Sequence, residues 1–159
     1  MQTLSSQQRV EAVLAAAGIP LDIRTFPDGT RTALEAATAI GCSVGEIAKS
    51  IVLRAVESGR LVVVVVSGRN RVDMEKVADL LDQSVIRADA EFVRRHTGFA
   101  IGGVAPVGHL EAPLLLLDRD LLHYRQVWAA AGTSDSVFRI SPAQLQQLLA
   151  CPVVDIKQE

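Results

Sequence analysis

Apolar and polar positions alternate along this chain with two periods. Val10, Val13, Leu14 and Ala17 recur at helical spacing behind the capping box Ser5-x-x-Gln8, and Gly18 follows as a stop, which predicts an amphipathic first helix. Leu21 to Phe26 predicts a short strand ended by the turn Pro27-Asp28-Gly29. Thr32-x-x-Glu35 and Ser43-x-x-Glu46 are two more capping boxes: the first opens an alanine-rich helix ending at Gly41, the second a short helix ending near Lys49. Ile51 to Val56 and Leu61 to Val66, rich in β-branched residues and separated by Glu57-Ser-Gly-Arg60, predict a hairpin. Its second strand is apolar on both faces, which places it centrally in a covered sheet.

The same reading continues to the C-terminus. Asp73 caps a helix carrying Met74, Val77, Ala78 and Leu81 on one face, Val85 to Arg87 is a brief strand, and a helix from about Asp89 to Thr97 stops at Gly98. Leu114 to Leu117 predicts a buried strand ended by Asp118, and Leu121 to Ala131 a mostly helical stretch shared by Tyr124 and Trp128, both read as packing residues. Val137 to Ile140 is a further strand, Ser141-Pro142 starts the last helix, and Val153 to Ile156 adds an edge strand. Helices and strands thus intermingle with a hairpin among them, so the expected class is α+β: a mixed sheet with helices packed around it.

Composition narrows the function. The 159 residues suit one domain spanning 1–159, and the longest aliphatic run, Leu61 to Val66, is far too short to cross a bilayer. The N-terminus lacks the pattern of an export signal, so a cytoplasmic protein without a membrane partner is expected. Cys42 and Cys151 stand alone and read as small, reduced hydrophobes, while His96, His109 and His123 are dispersed; no metal site or cofactor is expected. A formal net charge of −2 argues against a broad basic surface for nucleic acid, though not against a few local phosphate contacts. Gly-x-Ser-x-Gly and the phosphate-loop motif are missing, and Gly98 to Gly103 does not sit between a strand and a helix as a dinucleotide fingerprint requires.

Two features carry candidate chemistry. Gly102-Gly103-Val104-Ala105-Pro106-Val107-Gly108-His109 crowds three glycines and a proline into one segment, either a tight connection or a loop that grips a ligand with its main chain. Lys49, between a short helix and a strand, is either a solvated cation favoured by the helix dipole or a functional ammonium. Arg69 and Arg71, in a polar loop, are either solvated or contacts for phosphate.

Thr30-Arg-Thr32, Glu46-Ile-Ala-Lys49-Ser-Ile, Ser67-Gly68, the segment 102–109, Asp118 and Ala131-Gly132 occur in an order and spacing that resemble the YbaK/prolyl-tRNA-synthetase-associated family, from about Gln7 to Leu149. The resemblance implies a single α+β domain built on a strongly curved mixed sheet surrounded by helices. It implies a free-standing deacylase that edits mischarged tRNA by hydrolysing the ester of a small amino acid, with prolyl-tRNA the expected carrier. The implied partners are the acceptor end of aminoacylated tRNA and, transiently, a synthetase. Lys49 corresponds to the family's essential lysine, and Gly102, Gly103, Val104, Ala105 and Pro106 to its glycine-proline catalytic loop. Thr30, Thr32, Ser67, Gly108, His109 and Asp118 would line or support the same pocket, with His109 and Asp118 equally suited to turns and caps, and Arg69 and Arg71 would meet tRNA phosphates. Main-chain N–H groups of the loop would stabilise the oxyanion, and water or the neighbouring ribose hydroxyl would attack. The competing readings are a non-catalytic module that binds an aminoacyl or nucleotide end, and a small-molecule esterase.

Overall fold

Leu61–Ser67 (β3) is buried along its whole length, and the reason is its position. On one edge β3 pairs antiparallel with Ile47–Ala55 (β2), and on the other it pairs parallel with Leu114–Asp118 (β5). Leu61, Val63 and Val65 feed one core, while Val62, Val64 and Val66 feed a second on the opposite face. A strand covered on both faces has no polar side to show, so the continuous valine run is what this position demands.

In the computed structural model, which describes residues 3–27, 29–30 and 32–159, the other elements extend this hairpin into one mixed sheet. Ile23–Thr25 (β1), Val85–Arg87 (β4), Val127–Ala130 (β6), Ser136–Ile140 (β7) and Val153–Val154 (β8) complete it, in the order β1-β7-β6-β2-β3-β5-β8 with β4 also on β2. The first core packs the helix Ser6–Ala16 (α1) and the segment around Phe99 to Val107 against one face; the second covers the other face with Met74–Leu81 (α3) and Ile156. A third, smaller core joins the helix Ala33–Ile40 (α2) to Ile47, Trp128 and Val137. The helices Ala90–Thr97 (α4) and Pro142–Leu149 (α5) complete the shell.

The predicted helix ends match the structure because they depend on local hydrogen bonding. Ser5 with Gln8 and Ser141 with Gln144 form reciprocal capping boxes, Thr32, Asp73 and Asp89 cap α2, α3 and α4, and Gly41 and Gly98 close α2 and α4 in left-handed conformation. Asp28 of the predicted turn lies outside the described residues.

Two expectations fail. Ser43-x-x-Glu46 opens only a single 3₁₀ turn, Val44–Glu46, and the chain is already a strand at Ile47, so Lys49 stands within β2, opposite Val66, and not at a helix end. The stretch 121–131 is not helical either: a 3₁₀ segment, Arg119–His123, gives way to β6, which is inserted between β2 and β7. Strand partners on both edges outweigh the modest helical preference of the local residues, a tertiary effect that no local pattern records.

Candidate functional site

The sheet is interrupted beside β2. On the edge away from β3, Ile47 and Ala48 pair with Trp128 and Ala129 of β6, and Leu53 to Ala55 pair with β4. Ala88 N–H reaches the Val52 carbonyl at 3.3 Å, yet neither strand reaches Ser50. Gly68 N–H donates to the Ile47 carbonyl and Ala55 N–H to the Arg60 carbonyl, so the odd-numbered residues between them direct their peptide groups toward β3. By the alternation of an antiparallel ladder, Ser50 directs its N–H and C=O into the opening.

A cavity of about 430 Å³ occupies this interruption. Lys49, Ser50 and Val52 of β2 form one wall, Thr32, Ala33 and Ala36 another, Ile101, Gly102 and Val104 a third, and Thr133, Ser134 and Ser136 a fourth. Trp128 and Arg87 also line it. Among the described residues the lining contains no histidine, cysteine, aspartate or glutamate, and what it offers for chemistry is one ammonium, one guanidinium, hydroxyls and peptide groups. Burial, followed by the like charges of Arg71 and Arg87, holds the Lys49 ammonium below the usual lysine pKa. Ser50 Oγ and Trp128 Nε1 are buried with no hydrogen-bond partner among the described residues. An unmet buried polar atom costs about 1–3 kcal/mol, so both are poised to gain from a ligand or a water.

Glycines let the walls approach. A Cβ on Gly103 would lie 2.8 Å from the Thr133 carbonyl carbon, and one on Gly132 would lie 2.7 Å from the Ser6 carbonyl oxygen. The 102–104 loop therefore rests directly on the main chain of Thr133 and Ser134. Thr30 ties a third segment to the same place, its N–H donating to the Ser134 carbonyl at 2.8 Å and its hydroxyl at 3.3 Å.

The expected site residues divide into three sets. Thr30, Thr32, Lys49, Gly102 and Val104 meet at the cavity, Thr32 also serving as the cap of α2. Arg31, between the two threonines, lies outside the described residues. Gly103, Ala105, Pro106, Gly108 and His109 stand behind the wall. Gly103 N–H is spent on the Ala100 carbonyl at 2.9 Å, whereas its neighbours Gly102 and Val104 both line the cavity. His109 Nε2 meets the Ala105 carbonyl at 2.8 Å and its ring sits edge-on to Phe99. A carbonyl only accepts, so Nε2 carries the proton, and burial holds the imidazole pKa below its ordinary value. Arg9 of α1 binds the loop from outside, Nε to the Gly108 carbonyl at 3.0 Å and Nη2 to the Gly98 carbonyl at 2.8 Å.

The third set, Ser67, Asp118, Arg69 and Arg71, does not line the cavity. Buried Asp118 accepts from Ser67 N–H at 3.0 Å, from the Asn70 amide at 2.8 Å and from Asp120 N–H at 3.0 Å. Ser67 Oγ donates to the Gly45 carbonyl at 2.7 Å, and Gly68 N–H to the Ile47 carbonyl at 2.7 Å. This pair anchors the chain just before Lys49: it acts as support and forms no pocket wall. Arg69 packs its stem near Gly45, and Arg71 acts on Lys49 only through its charge.

Sequence reasoning missed Ser50, Arg87, Thr133, Ser134 and Ser136, and took Trp128 for packing alone. The run Gly132-Thr133-Ser134, a glycine followed by hydroxyls, was the one available signal; Ser50 and Arg87 gain their position only from the break in the sheet.

A model of the aminoacyl-tRNA editing domain matches residues 27–148. A solved structure proposed as a trans-editing enzyme for prolyl-tRNA synthetase is 43% identical and superposes with a TM-score of 0.90, covering 99% of this chain and 100% of that one. The structure of hypothetical protein APE2540 is 29% identical with a TM-score of 0.88, covering 94% and 99%. The uncharacterised protein YwhH of Bacillus subtilis (strain 168) is 29% identical over 126 residues, 79% of this chain and 80% of its own length.

Proposed function

Since this chain belongs to the aminoacyl-tRNA editing domain family, with a YbaK-like fold, we propose that it is a trans-editing deacylase: it hydrolyses the ester joining a small, wrong amino acid to the terminal ribose of a tRNA. The carrying observation is that Lys49, Gly102 and Val104 share one cavity whose described lining holds hydroxyls but no imidazole or carboxylate to activate one as a nucleophile. That inventory suits an ester, which needs positioning and charge stabilisation more than it needs a covalent intermediate.

A water, or the adjacent ribose hydroxyl, adds to the ester carbonyl; the tetrahedral oxyanion collapses, the C–O bond to the ribose breaks, and the ribose oxygen leaves with a proton. Attack by water frees the amino acid at once, whereas attack by the ribose hydroxyl moves the ester and water then completes the cleavage. Gly102 and Val104 donate to the oxyanion, Lys49 supplies fixed positive charge beside it, and Ser50 offers its unpartnered hydroxyl to the aminoacyl moiety. A prolyl-tRNA as carrier is supported by the likeness to the protein proposed to serve prolyl-tRNA synthetase. That likeness also supports transient association with a synthetase.

Incubation of the purified protein with a panel of mischarged tRNAs and with free amino-acid esters tests this. Release confined to a few amino acid and tRNA pairs is the expected result. No release from any pair refutes the deacylase and leaves a binding module, and equal turnover of free esters makes the protein a general esterase.

A further inference from the structure

Among the described lining residues, Lys49 and Arg87 are the two cations, and no carboxylate balances them. Neither takes part in an ion pair among the described residues, nor does Arg71. In a protein whose formal net charge is −2, a cavity flanked by uncompensated cations is out of keeping with the whole, and an anion that enters it relieves the repulsion. The two differ in depth: Lys49 is half-buried, whereas Arg87 is exposed at the edge.

Strand register fixes their relation. Arg87 stands opposite Leu53, and Leu53 shares a face of β2 with Lys49, four residues away. The two attachment points are thus about 13 Å apart along the strand, at about 3.3 Å per residue. Arg87 is the last residue of β4, held by the pairing with Leu53 and by Ala88 N–H on the Val52 carbonyl. Its guanidinium is therefore presented from a stiff edge. Guanidinium is planar and weakly hydrated, with donors spaced for two phosphate oxygens.

We propose that Arg87 anchors the phosphodiester of the terminal nucleotide at the cavity mouth, so that the deeper Lys49 acts on the ribose and ester instead of on the phosphate. This rests on the deacylase reading and leaves Lys49 free for the role given it there, fixed charge beside the ester. It also gives the anchored phosphate a second effect: its negative charge offsets the like charges that depress Lys49, and so favours the ammonium in the substrate complex.

The test uses a fluorescent acceptor-stem hairpin ending in CCA, and the same hairpin with its last phosphodiester replaced by an uncharged methylphosphonate. Binding is followed by anisotropy across a salt series. Arg87→Gln is expected to weaken binding of the first hairpin about five- to tenfold and to reduce the log–log salt slope by about 0.7, the value for one single-strand phosphate contact. Arg87→Lys is expected to keep the slope, and the methylphosphonate hairpin to abolish the difference between wild type and Arg87→Gln. An unchanged affinity and slope in Arg87→Gln, a difference that persists on the methylphosphonate, or no binding by wild type each overturn the anchor. Deacylation is assayed separately. Arg87-dependent binding without release of any amino acid keeps the anchor and rejects the deacylase, whereas release by Arg87→Gln at wild-type KM keeps the deacylase and rejects the anchor.

Discussion

Gly103→Ala probes the contact that shapes the cavity. The added Cβ would lie 2.8 Å from the Thr133 carbonyl carbon and 3.0 Å from both Thr133 Cα and Ser134 N, all main-chain atoms that no rotamer change can move aside. Ordinary carbon–carbon contact begins near 3.5 Å, so the loop or the 133–134 segment must shift by about 0.7 Å. Overpacking of this kind costs about 1–3 kcal/mol, which for a chain of this length lowers the thermal midpoint by about 2–12 °C. A displacement approaching 1 Å between Gly102 and Lys49 costs up to about 100-fold in rate, so kcat/KM on a mischarged tRNA should fall between tenfold and about 100-fold. Gly59→Ala in the β2–β3 turn is the control: Gly59 has φ +70° with no atom near its added Cβ, so it loses about 1–2 kcal/mol to backbone strain but leaves the cavity walls in place. Calorimetry and single-turnover deacylation of both variants decide the matter. A Gly103→Ala protein with wild-type kcat/KM, or the same rate loss in both variants, would refute the claim that this contact sets the catalytic geometry.

Other outcomes follow from the same geometry. Lys49→Met should slow deacylation about 100-fold to 1000-fold, the range for losing one oxyanion-stabilising group, while the thermal midpoint holds or rises because methionine brings no charge to desolvate; a fully active variant would remove Lys49 from the mechanism. Because the Lys49 ammonium is held below its ordinary value, the alkaline limb of wild-type kcat/KM, corrected for spontaneous hydrolysis, should set in below pH 10.5. The His109 imidazole pKa is depressed in the fold, so the unfolded chain binds the extra proton as pH falls below about 6.5 and stability declines there. Urea midpoints should show a smaller drop from pH 8 to pH 5 in His109→Gln than in wild type, and an identical drop would contradict the buried neutral ring. Asp118→Ala strips the acceptor from Ser67 N–H, Asn70 and Asp120 N–H, and should cost about 2–4 kcal/mol in urea unfolding; a loss under about 1 kcal/mol would mean that this network does not anchor β2.

Much of this molecule was legible in local pattern. Ser5, Thr32, Asp73, Asp89 and Ser141 announce helix starts because a cap is satisfied within three residues. The aliphatic run Leu61 to Val66 announces its central place because a strand apolar on both faces needs cover on both. The glycine-proline segment and Lys49 were visible as residue types suited to main-chain and cationic chemistry, and the spacing of the motifs pointed to the family that the comparisons identify.

Position was a different matter. The mostly helical reading of 121–131 failed since β6 exists only where β2 and β7 offer it an edge on each side, and the short helix before Lys49 gave way to β2 for the same reason. Ser67 and Asp118, which could have lined or supported the pocket, form a buried anchor behind it, while Ser50 and Arg87 carried no local signal at all. Caps, turns and periodicity are short-range effects written in neighbouring residues. The break in the sheet, and the cavity it opens, are set by which strand ends where, a long-range choice that only the packed molecule makes.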